Sequence, residues 1–435
     1  MEQDMKNSFL VKGGTPLSGE VTVSGYKNSA GALLAGVLLS DETSIIDNLP
    51  LVSDVLNQID VLKQMGAEIE WLDKRKIKIN PKNIDPEKIP VGLFEKMRVS
   101  VLLIGPLLTK FKKFQVPHPG GDRIGLRPIT THLEAFRHFG IDVKIKDGFY
   151  IFEKKNDEAD KHVILEEFSV TATENIMMLA AVSKGKTRVD VAAAEPQVQD
   201  LGHMLNKMGA DIQGLGSHTL EIQGKDKLSG IEFSVCSDPI EVGTFLIAFA
   251  LTGGQGKIKK ANLEDLTFFL KKMKDIGVRF ETIKNPMGLL SGSYGADEII
   301  VKPSKDFQAT RIQVLPYPGF PTDLQPQTSV LLTQAKGKSV VHEPLYESRF
   351  NHLHELRKMG ADTEISDPHR ALIFGKTELI ASKLRSSDIR AGAALVLAAL
   401  TAEGKSEIEN INQIDRGYER LDEKLKSLGA QIERV

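Results

Sequence analysis

Cysteine and any excess of one charge are almost absent from this chain of 435 residues. The single cysteine, Cys236, cannot form an internal disulfide or a site of several thiolates, which favours a reducing, cytoplasmic environment. The 56 lysines and arginines nearly balance the 58 acids, so the net charge of −2 gives no general basic surface for a nucleic-acid backbone. We therefore expect any cationic site to be local, and we expect no nucleic-acid partner.

Long apolar runs are missing as well. No apolar stretch reaches the about 18 residues that span a bilayer, and Met1-Glu2-Gln3-Asp4 has acids where a signal peptide carries a basic run. The sequence therefore predicts neither export nor insertion into a membrane. The 41% hydrophobic and 26% charged residues are typical of a globular protein, and the length suggests two or three domains.

A short pattern recurs six times along the chain: an amphipathic segment, a glycine, a small or apolar residue and an alternating, strand-like run. A glycine at this position is typical of a helix end, because the residue after a helix often adopts a left-handed conformation. The pattern therefore predicts six junctions from helix to strand at nearly equal spacing. The six glycines are Gly66, Gly140, Gly209, Gly277, Gly360 and Gly429.

Strongly apolar segments with little polar face lie between these junctions, each followed by a polar turn and a strand. Such segments predict buried helices. One unit then contains a buried helix, a strand, an amphipathic helix and further strands, which predicts an α/β protein with two lobes of three units each. A two-lobed protein is expected to bind its ligand between the lobes. The apolar segments are Ala30–Leu39, Val99–Leu108, Ile176–Val182, Phe245–Leu251, Val330–Gln334 and Gly392–Leu400.

The sequence contains no complete motif for binding a phosphate, a dinucleotide or a metal ion. The Gly-Lys-Ser turns beginning at positions 337 and 404 would need glycines at 332 and 399 to form a phosphate loop, where Leu332 and Ala399 stand. No G-x-G-x-x-G opens a helix after a strand, so no dinucleotide is expected. The cluster His342, His352 and His354 lacks a metal-ligand spacing, and solvated or helix-capping histidines fit it better. We predict no metal and no cofactor.

Three loops combine turn residues with charge. Lys27 begins the first apolar helix, where a lysine is unfavourable at the positive end of the helix dipole unless an anion binds there; the alternative is a lysine that reaches water. His118–Pro128 has three glycines and two prolines, as a mobile lid does, although its Asp122 also suits a simple turn. In Pro316–Gln325, Asp323 enters the next helix, where it also suits a helix cap.

Arginines recur at the edges of the predicted elements. Gathered at one cleft with Lys27, they would form a site for a small ligand with two anionic groups, because the guanidinium fork matches carboxylate and phosphate. Isolated arginines are more often solvated. The arginines concerned are Arg98, Arg127, Arg349, Arg390 and Arg416.

Nine segments, in order and over almost the whole chain, closely resemble the UDP-N-acetylglucosamine 1-carboxyvinyltransferase family of enolpyruvyl transferases. PTDLQ and IDRGYER are the most specific parts. The resemblance implies two inverse α/β barrel-like lobes, each of three β-α-β-α-β-β units, with residues 26–236 in the first lobe and 1–25 plus 237–435 in the second. The segments are SGYKNSA, KMRVS, HPGGDRIGLRP, SVTAT, EVGTF, YPGFPTDLQ, YESRF, DIRAGAALV and IDRGYERL.

The resemblance also implies the reaction. The enolpyruvyl group of phosphoenolpyruvate passes to the 3′-hydroxyl of UDP-N-acetylglucosamine with release of phosphate, the first committed step of peptidoglycan synthesis. These two substrates would be the only partners of a cytoplasmic monomer. The hydroxyl needs a base and C3 of phosphoenolpyruvate needs an acid. We assign Asp323 as the base and Asp122 as the acid, with Lys27 as the third catalytic residue.

The remaining site residues follow from the same resemblance. Lys27 and Asn28 look like the phosphoenolpyruvate-binding pair, and Arg349, Arg390 and Arg416 like the arginines that hold its carboxylate and phosphate. The residues expected to contact the sugar nucleotide are Arg98, Arg127, Pro128, Ile129, Thr130, Thr131, Ser169, Val170, Asp323 and Leu345.

The chain departs from the family pattern at three positions. Asp122 stands where most members carry a cysteine, Glu167 stands where a lysine is expected, and Thr171 replaces a glycine. The last two leave open a catalytically silent relative that binds a sugar nucleotide. A second alternative is an enolpyruvyl transferase with another acceptor, such as shikimate 3-phosphate, although the Gly-Asn-Ala-Gly-Thr-Ala stretch expected for it is absent.

Overall fold

The computed structural model describes residues 7–122, 124–155, 160–285 and 296–435. The chain divides into two compact units. The N-terminal unit contains Gly25–Gly121 and Arg127–Cys236. The C-terminal unit contains the chain up to Ser24, the short segment Asp122–Leu126, and Ser237–Val435.

The N-terminal unit is built around three small sheets. Two of them have four strands, in which an outer strand runs parallel to its neighbour and the other pairs are antiparallel. The third has three antiparallel strands within the described residues. In sheet order, the strands are Glu232–Ser234, Ser44–Asp47, Lys76–Asn80 and Glu68–Asp73; Lys161–Ile164, Lys186–Asp190, Thr219–Gln223 and Asp211–Gln213; and Lys113–Pro117, Phe149–Lys154 and Ile141–Lys146.

The C-terminal unit repeats the four-stranded arrangement three times. Its strands are, in sheet order, Ser18–Thr22, Gln255–Ala261, Asp297–Val301 and Phe280–Ile283; Arg311–Gln313, Gly337–His342, Arg370–Gly375 and Asp362–Asp367; and Lys383–Arg385, Lys405–Glu409, Ser8–Lys12 and Gln431–Arg434. The first two strands of the chain therefore complete two sheets whose other strands come from its second half.

Each unit encloses a layer of apolar inner helices. All residues of Pro239–Leu251 are buried, because its sequence has no polar face. The inner helices are Lys27–Gly36, Ile104–Lys110, Val170–Ala181, Pro239–Leu251, Gln325–Thr333 and Ile389–Thr401. The amphipathic outer helices bury one face and are Ser53–Gln64, Thr130–Arg137, Pro196–Lys207, Thr267–Ile276, Asn351–Lys358 and Leu421–Ser427.

Short helical turns complete the connections. The α-helical ones are Val91–Phe94 and Asn412–Asp415, and the 3₁₀ turns are Val37–Leu39, Pro86–Lys88, Arg98–Leu103, Glu264–Leu266 and Thr322–Leu324. Within the described residues no helix is both long enough and apolar enough to cross a membrane.

The six junction glycines all adopt positive φ angles, as the repeated pattern predicts. Their values run from 66° at Gly140 to 108° at Gly66 and Gly209. Each ends an outer helix and precedes a strand. The predicted α/β fold with three repeated units in each lobe is confirmed.

The predicted bounds of the inner helices need correction. The segment predicted as one helix over Val99–Leu108 is a 3₁₀ turn, Arg98–Leu103, followed by the α-helix Ile104–Lys110. Pro106 explains the break, because it has no N–H to donate to the carbonyl of Leu102 four residues earlier. The other five inner helices all begin before their predicted apolar runs, at Lys27, Val170, Pro239, Gln325 and Ile389. The helices that begin at Val170 and Gln325 have polar first turns, which the apolar pattern does not include.

Candidate active site

Acidic residues stand at the starts of the three inner helices of the C-terminal unit, which pack against one another. Asp238 directly precedes Pro239–Leu251 and accepts the N–H groups of Ile240 and Glu241 at 2.8 and 3.1 Å. Asp388 precedes Ile389–Thr401 and accepts those of Arg390 and Ala391, both at 3.0 Å. Both are therefore N-caps, whose role is to satisfy the first backbone donors of a helix.

Asp323 holds the corresponding position before Gln325–Thr333, but its carboxylate binds two arginine side chains. Arg349 donates through Nη2 to Oδ1, and Arg390 donates through Nε and Nη2 to Oδ2 at 3.1 and 3.0 Å. The arginine side chains are only 1% and 3% exposed, whereas that of Asp323 is 26% exposed. Two buried cations therefore converge on a carboxylate that solvent can reach.

The Arg349 guanidinium retains hydrogen-bonding capacity. Nη2 also donates to the carbonyl of Thr322 at 3.3 Å, and Nη1 lies 3.8 Å from Oδ1 of Asp388. Nε is buried and has no acceptor among the described residues. A buried N–H group without an acceptor destabilises the folded state. The arrangement therefore suits an anionic ligand that supplies the missing acceptor.

Glu343 connects Leu345 to this cluster. Its Oε2 accepts the hydroxyl of Thr322 at 2.7 Å, and its Oε1 accepts the N–H of Leu345 at 3.0 Å. Burial raises the pKa of Glu343 above its usual value. Leu345 is thereby fixed near Asp323 through a buried acid that the sequence did not reveal. Its own side chain is partly exposed.

The segment Asp122–Leu126 of the predicted lid belongs to the C-terminal unit. Asp122 accepts a hydrogen bond from Nη1 of Arg416. Further along, Ile124 accepts the N–H of Ser348 at 3.1 Å. Glu347 accepts the N–H of Leu126 at 2.7 Å. These contacts place both the predicted acid and Arg416 in one unit with Asp323.

Lys27 and Asn28 begin the first inner helix of the N-terminal unit. Lys27 Nζ forms an ion pair with Asp54 at 2.8 Å, and both side chains are largely buried. Asn28 donates to the hydroxyl of Tyr26 at 3.0 Å. The Asp54 carboxylate therefore neutralises the lysine and offsets its unfavourable interaction with the positive end of the helix dipole.

Arg98, Arg127 and Pro128 come together in the same unit. Arg98 donates through Nη2 to the carbonyl of Pro128 at 3.2 Å. Gly121 lies against both arginines with φ +126°, and a Cβ there would stand 2.8 Å from Cβ of Arg98 and 3.2 Å from Nη1 of Arg127. Only glycine fits this approach, so Gly121 allows the two arginines to lie against the chain.

Glu167 and Thr171, which depart from the family pattern, contact consecutive residues of one outer helix. Thr131 donates its hydroxyl to Glu167 at 3.3 Å, and His132 Nε2 lies 2.9 Å from the hydroxyl of Thr171. His132 is fully buried, and desolvation together with the charge of Arg98 lowers its pKa to about 3. His132 is therefore neutral at physiological pH, and Thr171 contributes to the packing of two helices.

The other predicted residues lie at the starts of the same two helices. Ile129 is buried directly before Thr130–Arg137, which Thr130 begins. Ser169 is the N-cap residue of Val170–Ala181, and its carbonyl accepts the hydroxyl of Thr173 at 2.8 Å.

Several residues that contact the predicted site residues were missed by the sequence analysis. Asp388 could have been found by aligning the repeats, because it corresponds to Asp238 and Asp323. Glu343 and Asp54 offered no such pattern. Among the described residues no group of three or more histidines, cysteines or acids is placed to hold a metal ion.

Enolpyruvyl transferases are among the solved structures that superpose on this chain. The enolpyruvyl transferase NikO from Streptomyces tendae superposes with a TM-score of 0.86, at 22% identity and with 98% of each chain covered. EPSP synthase from Acinetobacter baumannii superposes with a TM-score of 0.76, at 17% identity, covering 98% of this chain and 99% of its own. At these identities the likeness concerns the fold.

The sequence defines the family more closely. Residues 11–425 match the model of the EPSP synthase (3-phosphoshikimate 1-carboxyvinyltransferase) family. UDP-N-acetylglucosamine 1-carboxyvinyltransferase 1 of Caldanaerobacter subterraneus subsp. tengcongensis is 41% identical over 99% of this chain and all of its own length. The corresponding protein of Halothermothrix orenii is 41% identical over 98% and 99%. The chain therefore belongs to the EPSP synthase family, and within it to the UDP-N-acetylglucosamine 1-carboxyvinyltransferases.

Proposed function

We propose that this protein transfers the enolpyruvyl group of phosphoenolpyruvate to the 3′-hydroxyl of UDP-N-acetylglucosamine and releases phosphate. The observation that carries the proposal is the pair of buried arginines, Arg349 and Arg390, on the partly exposed carboxylate of Asp323. Paired guanidinium groups suit a donor with a carboxylate and a phosphate. The relatives named for this reaction share about two fifths of the sequence over its whole length. In a cell, the reaction would be the first committed step of peptidoglycan synthesis in the cytoplasm.

The addition step needs a base and an acid. Asp323 accepts the proton of the sugar hydroxyl, whose oxygen attacks C2 of phosphoenolpyruvate, while Asp122 gives a proton to C3. The product is a tetrahedral ketal that still carries the phosphate. Loss of phosphate from C2 and of one proton from C3 then restores the double bond, so the atoms balance over the two steps.

The cations hold the donor in place. Arg349, Arg390 and Arg416 are assigned to its carboxylate and phosphate, and Lys27 and Asn28 are assigned to the same donor. Asp122 must carry a proton to act as the acid. An anionic group of the donor that takes the place of Asp122 on Arg416 would free Asp122 for this role.

The sugar nucleotide is assigned by the family resemblance to ten positions. They are Arg98, Arg127, Pro128, Ile129, Thr130, Thr131, Ser169, Val170, Asp323 and Leu345. The positive guanidinium groups of Arg98 and Arg127 can pair with the diphosphate of the sugar nucleotide.

A phosphate-release assay tests the proposal. Purified protein with phosphoenolpyruvate and UDP-N-acetylglucosamine should release phosphate, and mass spectrometry should show one enolpyruvyl group added to the sugar nucleotide. Turnover with shikimate 3-phosphate alone would assign a different acceptor. Absence of turnover with either acceptor, despite tight binding of UDP-N-acetylglucosamine, would indicate a silent sugar-nucleotide-binding relative. Sedimentation of the same sample tests the expected monomer.

A further inference from the structure

Tyr418 lies in the turn between Asn412–Asp415 and Leu421–Ser427, and its side chain is fully buried in the C-terminal unit. A buried tyrosine needs partners for its hydroxyl as well as contacts for its ring. Both kinds of partner come from the inner helices, which makes Tyr418 more than a space-filling residue.

The hydroxyl of Tyr418 joins two of the inner helices. It lies 2.9 Å from the hydroxyl of Thr244 in Pro239–Leu251 and accepts Nε2 of Gln327 in Gln325–Thr333 at 2.8 Å. The hydroxyl of Thr244 donates its proton to the carbonyl of Ile240, at 2.8 Å. The tyrosine therefore donates to Thr244 and accepts from Gln327, so the direction of its O–H bond is fixed.

The ring of Tyr418 lies under a side chain of the third inner helix. Cζ of Arg390, in Ile389–Thr401, stands 5.1 Å from the ring centroid. A guanidinium over an aromatic face at this distance is attracted by the negative face of the ring, most strongly where water is excluded. The same guanidinium donates twice to Asp323.

We infer that Tyr418 is a positioning residue for Arg390. The hydroxyl network fixes the ring with respect to two helices, and the ring fixes the guanidinium that reaches Asp323 from the third. The inference rests on the proposed function, because Arg390 is there assigned to the anionic groups of phosphoenolpyruvate. If the ring is removed, the guanidinium loses the surface beneath it and can move away from the position that the donor requires.

Three variants separate positioning from simple core packing. Tyr418→Leu removes the ring, Tyr418→Phe keeps it without the hydroxyl, and Phe249→Leu removes another fully buried ring from Pro239–Leu251, far along the helix from its N-terminal end. Melting temperature, kcat and the KM for each substrate are measured for all three. Tyr418→Met, which retains more volume, replaces the leucine variant if that variant does not fold.

We expect Tyr418→Leu to raise the KM for phosphoenolpyruvate about tenfold, the effect of a desolvated cation–π contact. The KM for UDP-N-acetylglucosamine should stay within about twofold of the wild type. Tyr418→Phe should restore the KM for phosphoenolpyruvate to within about threefold of the wild type. Phe249→Leu should lower the melting temperature while both KM values stay unchanged.

The inference is overturned if Tyr418→Leu changes both KM values equally, or if Phe249→Leu changes the KM for phosphoenolpyruvate as much as Tyr418→Leu does. An equal loss in Tyr418→Phe would also refute it, because the ring would then not be the active part. If the wild type releases no phosphate, the proposed function fails. The increase in melting temperature on adding phosphoenolpyruvate then tests the inference alone: loss of that increase in Tyr418→Leu but not in Phe249→Leu supports it, and its retention in both refutes it.

Discussion

Three aspartates at corresponding positions show how one residue type serves two purposes in this fold. The carboxylates of Asp238 and Asp388 accept hydrogen bonds from backbone N–H groups, whereas that of Asp323 binds Arg349 and Arg390. Burial raises the pKa of Asp238 to about 7 despite the opposing charge of Arg390. A capping acid in this environment is structural, and the acid that is partly exposed and held by cations is suited to chemistry.

Replacement of Asp323 tests its assignment as the base. Asp323→Ala should lower kcat at least about a thousandfold, since general-base catalysis contributes on the order of 10² to 10⁴. UDP-N-acetylglucosamine should still bind, as measured by calorimetry. The variant should also unfold more easily, because two buried arginines lose their shared anion.

The control for that variant is Asp306→Ala. Asp306 pairs with Lys336 in the same unit, and both side chains are well exposed. It should leave turnover unchanged and cost only about 1 kcal/mol of stability, because the left-handed backbone at Asp306 (φ 58°) is less favourable for alanine. Unchanged turnover in Asp323→Ala would remove this residue from the mechanism.

The aspartate at position 122 predicts resistance to epoxides that act by alkylating a thiolate. Position 122 carries a carboxylate, which is not a thiolate nucleophile, and Cys236 is only 3% exposed, so the wild type should remain active and unlabelled. Asp122→Cys should become sensitive, with one adduct on the peptide that contains residue 122, as located by mass spectrometry. Rapid stoichiometric inactivation of the wild type, with label on its lid peptide, would contradict the prediction.

Glu167 predicts a gain of affinity on charge reversal. If Arg127–Thr131 and Ser169–Val170 bind the nucleotide, a carboxylate hydrogen-bonded to Thr131 repels the diphosphate. Glu167→Lys should therefore tighten UDP-N-acetylglucosamine binding about tenfold at low salt and less at high salt, as measured by calorimetry. Glu166→Lys, at the exposed neighbouring position, is the control and should have a smaller effect. Weaker binding in Glu167→Lys would place the diphosphate elsewhere.

At the scale of the element, the sequence predicts those features of helices and strands that depend on neighbouring residues alone. The junction glycines require a positive φ whatever they pack against, so all six could be identified. Helix starts were harder to place, because the polar first turns of Val170–Ala181 and Gln325–Thr333 resemble loops. The polar network of Tyr418 could not be predicted at all, since its partners Thr244 and Gln327 lie 174 and 91 residues away.

Asp200 makes the packing of two helices in the N-terminal unit sensitive to pH. It lies in Pro196–Lys207 and accepts the hydroxyl of Ser29, in Lys27–Gly36, and the N–H of Cys236 at 3.1 Å. Its other oxygen, Oδ1, is buried without a donor among the described residues. Burial raises the pKa of Asp200 from 3.8 to about 6. The folded state therefore favours the protonated form.

This shift fixes the sign of a pH effect on stability. Between pH 4 and 6 the folded state binds more protons at Asp200 than the unfolded state, so its contribution to stability falls as pH rises and is constant above about 6. Relative to Asp200→Asn, which does not titrate, the wild type should lose on the order of 3 kcal/mol of unfolding free energy from pH 4 to pH 7. Urea unfolding of both proteins at several pH values measures the difference. A difference that does not vary with pH would show that Asp200 is ionised in both states.

At the scale of the whole molecule, the two strands at the beginning of the chain belong to sheets formed from its second half. Ser8–Lys12 pairs with Lys405–Glu409 on one side and Gln431–Arg434 on the other, and Ser18–Thr22 pairs with Gln255–Ala261. These pairings join residues that are far apart in the sequence, such as Ser8 and Glu409, and no hydrophobic pattern near residue 10 indicates which strands pair with Ser8–Lys12. Resemblance to the family was the only sequence signal for them.

Removal of these two strands should destabilise the C-terminal unit more than the N-terminal one. A chain that begins at Gly25 loses a central strand from one sheet and an edge strand from another, which leaves backbone donors and acceptors without partners. Phe9 and Val11, both fully buried, are lost as well. Amide hydrogen exchange should therefore accelerate at Ile408 and Ile432, which flank the missing strand, while Ile77 and Ile79 of the N-terminal unit keep their protection. A chain that begins at Asn7 keeps both strands and serves as the control. Equal protection at Ile408 and Ile432 in the two chains would mean that the remaining strands form a stable sheet without Ser8–Lys12 and Ser18–Thr22, and the prediction would then be wrong.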